Sequence, residues 1–272
     1  MEKIQQALER ARHQRTERST TAAATAAAVK ETRGFALDAS NEFDLDQRNA
    51  NAHRLVAALP DDPRGDIFRR LRTQTLQRLQ IVGGNSLAIL SGRDGEGKTM
   101  VACNLALALA RQATGPVFLV DFDFRRPSVQ TVLGIEADLG VGDYLEGEAA
   151  LADIVWRCRE FPALHVLPQT RPLQHCSELM AAPAARELMR QLREDVPNST
   201  VVVDSSPLLM TDEPLIVQRY VDGCLLVVQL GRTLSDDVTS TAQQIEEAKY
   251  LGHVLNQVPP GEVQSGLGYG YR

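Results

Sequence analysis

The sequence predicts an α/β fold, a doubly wound, mostly parallel sheet with helices on both faces, and three observations carry that prediction. Short apolar runs bounded by turn residues recur at Ser86–Ser91, Val117–Val120, Thr200–Asp204 and Cys224–Leu230, the pattern of strands buried on both sides. Stretches of helical periodicity separate them, and alternation of this kind gives parallel sheets. The first run leads directly into Gly92-Arg-Asp-Gly-Glu-Gly-Lys98-Thr99, and the Ala/Leu-rich helix Met100–Ala110 follows.

That glycine-rich turn has the pattern G-x-x-x-x-G-K-[ST] of a phosphate-binding loop. Gly92, Gly95 and Gly97 let the backbone bend tightly and turn its N–H groups inward, where side chains would block a phosphate. The helix behind the loop offers unpaired N–H groups and the positive end of its dipole to the same anion. Gly92, Arg93, Asp94, Gly95, Glu96, Gly97, Lys98, Thr99 and Met100 are therefore the candidate nucleotide contacts. Lys98 reaches the outer phosphates and the Thr99 hydroxyl ligates Mg2+.

Composition narrows the class. A chain of 272 residues is ample for one large core with appendages. Its net charge of -6 argues against nucleic-acid binding by bulk electrostatics. Cys103, Cys158, Cys176 and Cys224 are scattered without a C-x-x-C pair, which predicts thiols of a reducing compartment rather than a zinc site. No apolar run of membrane-spanning length and no signal-peptide core are found, so the expectation is a soluble, cytoplasmic protein.

Residues 1–18 place Ile4, Ala7, Leu8 and Ala11 at helical spacing, an amphipathic helix that docks on a partner or membrane surface, or packs on its own domain. Residues 19–51 lack core-forming side chains and read as a flexible tether. The folded domain is expected to span 52–258. It opens with an amphipathic helix, Asp66–Gln80, carrying Ile67, Leu71, Leu76 and Leu79 on or near one face. Asp66, Arg69 and Arg72 recur along another side, as a solvated face or as a subunit contact.

Asp121 and Asp123 fall at the carboxyl end of the second strand, where ligands bind in open α/β sheets. Alternation puts both carboxylates on one side, suited to a metal shell or general-base work; the other reading makes them helix caps or partners of Arg125 and Arg126. Leu164–Pro168 is a further strand, 182–194 a helix, and Thr200–Asp204 a strand ending in an acid, with Asp204 holding a Mg2+-bound water. Leu234–Tyr250 reads as a helix and Gly252–Asn256 as the last strand. His165 and His175 have no partners at ligand spacing and read as structural. The tail, 259–272, is expected to be disordered.

Together these motifs resemble the bacterial tyrosine autokinases (BY-kinases) of exopolysaccharide and capsule loci, of the CpsD/CapB type, among the deviant-Walker ATPases that include MinD and ParA. The likeness covers about Asp66 to Val258. Ser91–Ala110 is similar to the family's Walker A region, Val117–Pro127 to its Walker A′, and Val201–Pro207 with Thr211 and Asp212 to its Walker B and following loop. Leu251–Asn256 resembles the segment near the adenine, which makes Asn256 a candidate base contact. Asp66, Arg69 and Arg72 match an E-x-x-R-x-x-R motif used between subunits, with Asp in place of Glu. The opening residues are similar to the subgroup of exosortase-linked loci. Asp94 stands where the family usually has Pro, and Asp204-Ser-Ser-Pro207 replaces Asp-x-Pro-Pro. Arg93 stands where MinD and ParA relatives carry a lysine that reaches across a dimer. Tyr269 and Tyr271 replace a longer tyrosine cluster.

The resemblance implies an ATP- and Mg2+-dependent tyrosine kinase that phosphorylates Tyr269 and Tyr271 of its own and neighbouring tails. In that reading Lys98 holds phosphates, Thr99, Asp123 and Asp204 hold the metal, and Asp121 takes the phenol proton. It also implies a homo-oligomer recruited to the inner membrane face by a polysaccharide co-polymerase. A MinD/ParA-like ATPase switch and a nucleotide-binding scaffold without kinase activity are the alternatives.

Overall fold

The computed structural model describes residues 41–259. The expected docking helix at 1–18, the first part of the tether, and the tail residues Tyr269 and Tyr271 lie outside the described residues. What is described opens with strand β1 (Asn41–Phe43) and helix α1 (Gln47–Ala52), both inside the stretch read as tether. Phe43, Leu45, Ala50 and Leu55 are buried, and Glu42 pairs with Arg157 and Arg159. The fold thus begins before the predicted start at residue 52. Composition hides this because the strand buries only one side chain in its short span and docks largely through ion pairs.

Helix α2 (Gly65–Val82) ends at Gly83, whose φ of 70° is left-handed. Its packed face is Phe68, Thr75 and Leu79, with Leu71 half-buried, whereas Ile67 and Leu76 are 57% and 42% exposed. The helix is turned relative to the expected face, with the small side chain of Thr75 buried in line with Phe68 and Leu79. Strand β2 (Ser86–Ser91) and helix α3 (Lys98–Ala110) flank the glycine-rich loop as predicted. From Val101 to Ala110 every residue of α3 is buried, which explains a helix sequence without a polar face. Its one amide, Asn104, is satisfied: Oδ1 accepts from the Ala57 N–H at 2.9 Å, and Nδ2 donates to the Arg54 and Met100 carbonyls at 3.0 and 2.9 Å. The segment before α2 is thereby pinned to the loop's own helix.

Strand β3 (Val117–Phe122) is followed by three short helices, α4 (Val129–Leu133), α5 (Val141–Glu146) and α6 (Leu151–Ile154). Strands β4 (Trp156–Cys158) and β5 (Leu164–Leu167) come next, then helices α7 (Cys176–Ala181) and α8 (Pro183–Arg190). Strand β6 (Thr200–Ser205), helix α9 (Glu213–Val217), strand β7 (Gly223–Gln229), helix α10 (Ser235–Gln244) and strand β8 (Tyr250–Asn256) complete the described chain. Strand β4 was not expected. The predicted helix 234–250 is shorter than its apolar pattern suggested, since Ile245 turns into the core and Tyr250 already belongs to β8.

The sheet order is β1-β4-β5-β3-β6-β2-β7-β8, parallel throughout except where β4 meets β5. Helices flank it as the sequence predicted. β2, β3 and β6 are neighbours, and Asp204 is in register with both Ile89 and Asp121. The carboxyl ends of three central strands therefore meet beside the glycine-rich loop. Among the described residues no helix is long and apolar enough to cross a membrane.

If β1 is part of the fold, Phe43→Ala lowers the unfolding free energy by about 3 kcal/mol. Urea titration measures this; a change within about 0.5 kcal/mol would place residue 43 in a tether instead.

Candidate nucleotide-binding site

The loop from Gly92 to Gly97 is shaped by its glycines at two points. Gly95 and Gly97 have φ of +80° and +94°, a region L side chains rarely adopt. At Gly97 a Cβ would also lie 2.1 Å from Nδ2 of Asn256. That amide donates to the Glu96 carbonyl at 2.8 Å, so Asn256 reaches the loop from the end of β8. Met100 is half-buried on the first turn of α3 behind the loop.

Four of the predicted site residues converge. Lys98 Nζ is 2.8 Å from Asp123 Oδ2. The Thr99 hydroxyl donates to Asp204 Oδ2 at 2.6 Å and accepts from the Ser128 hydroxyl at 3.1 Å. Asp121, level with Asp204 across β3 and β6, turns its oxygens onto backbone: Oδ1 accepts from the Asp123 N–H at 3.0 Å, and Oδ2 from the Ser128 and Val129 N–H groups at 3.2 and 3.1 Å. It thus holds the start of α4 from within the core. Asp123 Oδ1 accepts the Arg126 N–H at 3.0 Å.

The electrostatics follow from burial. Asp121, Asp123 and Asp204 are all at most 1% exposed, and Lys98, in contact with Asp123, is the cation among them. Burial pushes Asp204 up to about 6, against the opposing pull of Lys98 and the Thr99 hydroxyl. Burial, then Asp204 and Asp123, raise Asp121 well above the usual carboxylate range, although backbone N–H groups oppose the rise. The Lys98 ammonium, disfavoured by burial, is nonetheless held above its ordinary value by Asp204 and Asp123. Three carboxylates against one ammonium is an unbalanced set. Asp204 Oδ1 is moreover buried with no hydrogen-bond partner among the described residues. An oxygen-rich, electron-rich corner next to a phosphate loop fits a hard divalent cation such as Mg2+.

Around this corner stand arginines that the sequence offered as partners of Asp121 and Asp123. Their side chains pair elsewhere. Arg125 binds Glu213 at the start of α9 (2.8 and 2.9 Å), and Arg126 binds Asp94 at the loop's tip (2.6 Å). Arg93 forms a two-pronged pair with Asp237 of α10, at 2.6 and 2.9 Å. Glu213 and Asp237 escaped the sequence reading because they lie 88 and 144 residues from their partners, with no local pattern to mark them. Asp66 and Arg69 pair with each other on the exposed side of α2. Arg72 instead turns inward and donates to the Ala108 carbonyl at 3.3 Å, so the three do not form one cluster. His165 is a core residue whose Nδ1 is 3.1 Å from the Ala163 carbonyl.

A pH signature follows. With Asp204 at about 6 in the fold against an ordinary 3.8, the folded protein binds a proton that the unfolded chain has released. In the metal-free protein Asp204 therefore contributes stability that is present near pH 4 and lost as pH rises through 6. Thermal unfolding in chelator should show this slope, and Asp204→Asn should reduce it, leaving the part of the same sign that Asp121 contributes.

A profile of the ParA family, described as a NUBPL iron-transfer P-loop NTPase, matches residues 84–229. The tyrosine-protein kinase CpsD of Streptococcus agalactiae serotype III is 30% identical over 198 residues, which are 71% of this chain and 82% of the relative. A putative tyrosine-protein kinase EpsB of Ralstonia solanacearum is 30% identical over 230 residues, 84% of this chain but 30% of the relative, so the chain spans less than a third of that protein. The kinase domain of the Escherichia coli tyrosine kinase ETK superposes with a TM-score of 0.69 at 25% identity, covering 75% of this chain and 80% of that domain. The chain belongs to the bacterial tyrosine-kinase (BY-kinase) family of ParA-related P-loop NTPases.

Proposed function

We propose that the protein is an ATP-dependent protein-tyrosine kinase of an exopolysaccharide or capsule export system, phosphorylating its own chain and its copies. The observation that carries this reading is the corner where Lys98 meets Asp123 and Thr99 meets Asp204 at hydrogen-bond distance. The loop amides and Lys98 bind the β- and γ-phosphates of ATP, and Asn256 borders the base. Thr99, Asp123 and Asp204 would hold Mg2+, which supplies charge neutralisation at the transferred phosphoryl group. Lys98 exchanges its carboxylate partner for phosphate when the nucleotide arrives. Asp121 takes the proton from the attacking phenol; a phenol with a pKa of about 10 needs a base close by. Its raised proton affinity, from burial and its acidic neighbours, suits that task.

Tyr269 and Tyr271 are the proposed acceptors, supplied by the same or a neighbouring chain. Residues 1–18 are proposed as a docking helix on a tether, with a membrane polysaccharide co-polymerase as the activating partner at the inner membrane face. An ATPase switch of the MinD/ParA kind is the second reading, favoured by the ParA-family match. In this chain the residue at position 93 pairs with Asp237 of its own subunit, a pair that a reach across a dimer would first have to break. Iron transfer draws no support from the cysteines, which are all buried in four separate elements.

Incubation with labelled ATP and Mg2+ and the co-polymerase partner, followed by phosphopeptide mapping, tests the reading. Phosphate is expected on Tyr269 or Tyr271, with Lys98→Met inactive because a charge-assisted phosphate contact is lost. Asp121→Asn is expected to spare ATP binding far more than turnover. Phosphate on neither tyrosine would favour the switch.

For assembly, Asp66 and Arg69 are proposed to exchange their mutual pair for a neighbour's charges, with Arg72 fixing α2 against α3. Arg69→Ala with Arg72→Ala should shift the particle toward monomer in light scattering. A wild type that is monomeric with ATP and partner present would return Asp66 and Arg69 to a solvated face.

A further inference from the structure

Glu96 sits in the middle of a loop built to receive anions, yet it is a carboxylate and only 3% exposed. Its three acceptor contacts explain how it is accommodated. Oε2 accepts the backbone N–H groups of Gly92 and Arg93 at 2.8 and 3.1 Å, and Oε1 accepts the Thr233 hydroxyl at 2.5 Å. Thr233 is fixed in turn at the end of β7: its N–H donates to the Gln229 carbonyl and its Oγ1 accepts the Gln229 N–H, both at 3.0 Å. With that lone pair engaged, the hydroxyl proton is directed at Glu96.

We propose that Glu96 and Thr233 form a brace that holds the phosphate loop in its nucleotide-receiving curve, making Glu96 a positioning residue. The inference rests on the reading of Gly92–Thr99 as an ATP-binding loop. Glu96 engages the loop's first two amides, so the loop's opening turn is set before any phosphate arrives. The brace is needed because the loop borders open space. A cavity of about 270 Å³ lies there, lined by Arg93, Glu96, Arg232, Leu234 and Asp237 among others. A loop released from Thr233 has room to relax into it. The Asn256 contact to the Glu96 carbonyl and the Arg93–Asp237 pair join the same stretch to β8 and α10. Three links, from Thr233 after β7, Asn256 of β8 and Asp237 of α10, thus converge on residues 93–96.

The chemistry demands an acceptor-only side chain. A glutamine at this position has one acceptor oxygen for three donors, and its amide group would face an N–H or a hydroxyl proton. Valine at position 233 keeps the shape of threonine but leaves Glu96 Oε1 without its donor.

The test uses the full chain with Mg2+ and a fluorescent ADP. Affinity is measured for wild type, Thr233→Val, Thr233→Ser and Glu96→Gln, with nucleotide-free melting temperatures alongside. Thr233→Val and Glu96→Gln should each bind about tenfold more weakly, with melting points lowered by several degrees because a buried acceptor or donor is left unpaired. Thr233→Ser should return affinity to within about twofold, since only the hydroxyl is required. In turnover, Thr233→Val should raise KM for ATP and leave kcat within about twofold, the mark of lost uniform binding. Wild-type binding with an unchanged Thr233→Val overturns the brace and leaves the ATP reading intact. Weak binding with a large melting shift that serine does not reverse also overturns it, because the hydroxyl then serves the fold. A wild type that binds no nucleotide overturns the ATP reading and the brace with it.

Discussion

Three carboxylates buried around one ammonium are the constraint on which the rest of the structure depends. Asp121, Asp123 and Asp204 reach the same corner only because β3 and β6 are adjacent and in register, with β2 delivering Lys98 and Thr99 beside them. An isolated buried carboxylate costs several kcal/mol, and each of these is offset differently. Asp123 has the Lys98 ammonium, Asp204 has the Thr99 hydroxyl, and Asp121 has three backbone N–H groups. What is left uncompensated is one oxygen of Asp204 and an excess of negative charge. Such an arrangement is poor for stability and well suited to a site that binds a cation and a polyphosphate together.

The surrounding pairs belong to a different energetic class. Arg93, Arg125 and Arg126 are each more than half exposed, while their carboxylate partners are more buried. Exposed ends make such pairs weak and exchangeable. They tie the loops at the sheet's carboxyl edge to one another without locking them. The Arg126–Asp94 pair is peculiar to a chain with aspartate at position 94, and it joins the tip of the phosphate loop to the segment after β3.

Much of this was legible in the sequence because it is local. The four central strands, the buried helix α3 and the acids at strand ends follow from apolar runs and from residues adjacent to them, and Gly97 is marked by its motif. Lys98, Thr99, Asp123 and Asp204 then come together because the topology leaves few other places for strand ends to meet. Glu213, Asp237 and Thr233 were not legible, since each acts on a residue far away in the chain and carries no periodic signal. Strand β1 was hidden for a related reason. Its edge position needs little apolar surface, so residues 41–43 look like the polar stretch before them. On α2 the pattern located the helix but not its packed face, because Thr75 substitutes for an apolar residue there.

If the uncompensated charge beside the phosphate loop is a metal site that works with ATP, Mg2+ and ATP must bind with positive linkage. Calorimetric titration of ATP with and without Mg2+ tests it most directly, in wild type and in Asp204→Asn. The account predicts that Mg2+ tightens ATP by at least about tenfold in wild type, a linkage of roughly 1.4 kcal/mol, and that Asp204→Asn removes most of that gain while still binding ATP. Equal wild-type affinities with and without Mg2+, or a full Mg2+ effect in Asp204→Asn, would contradict it.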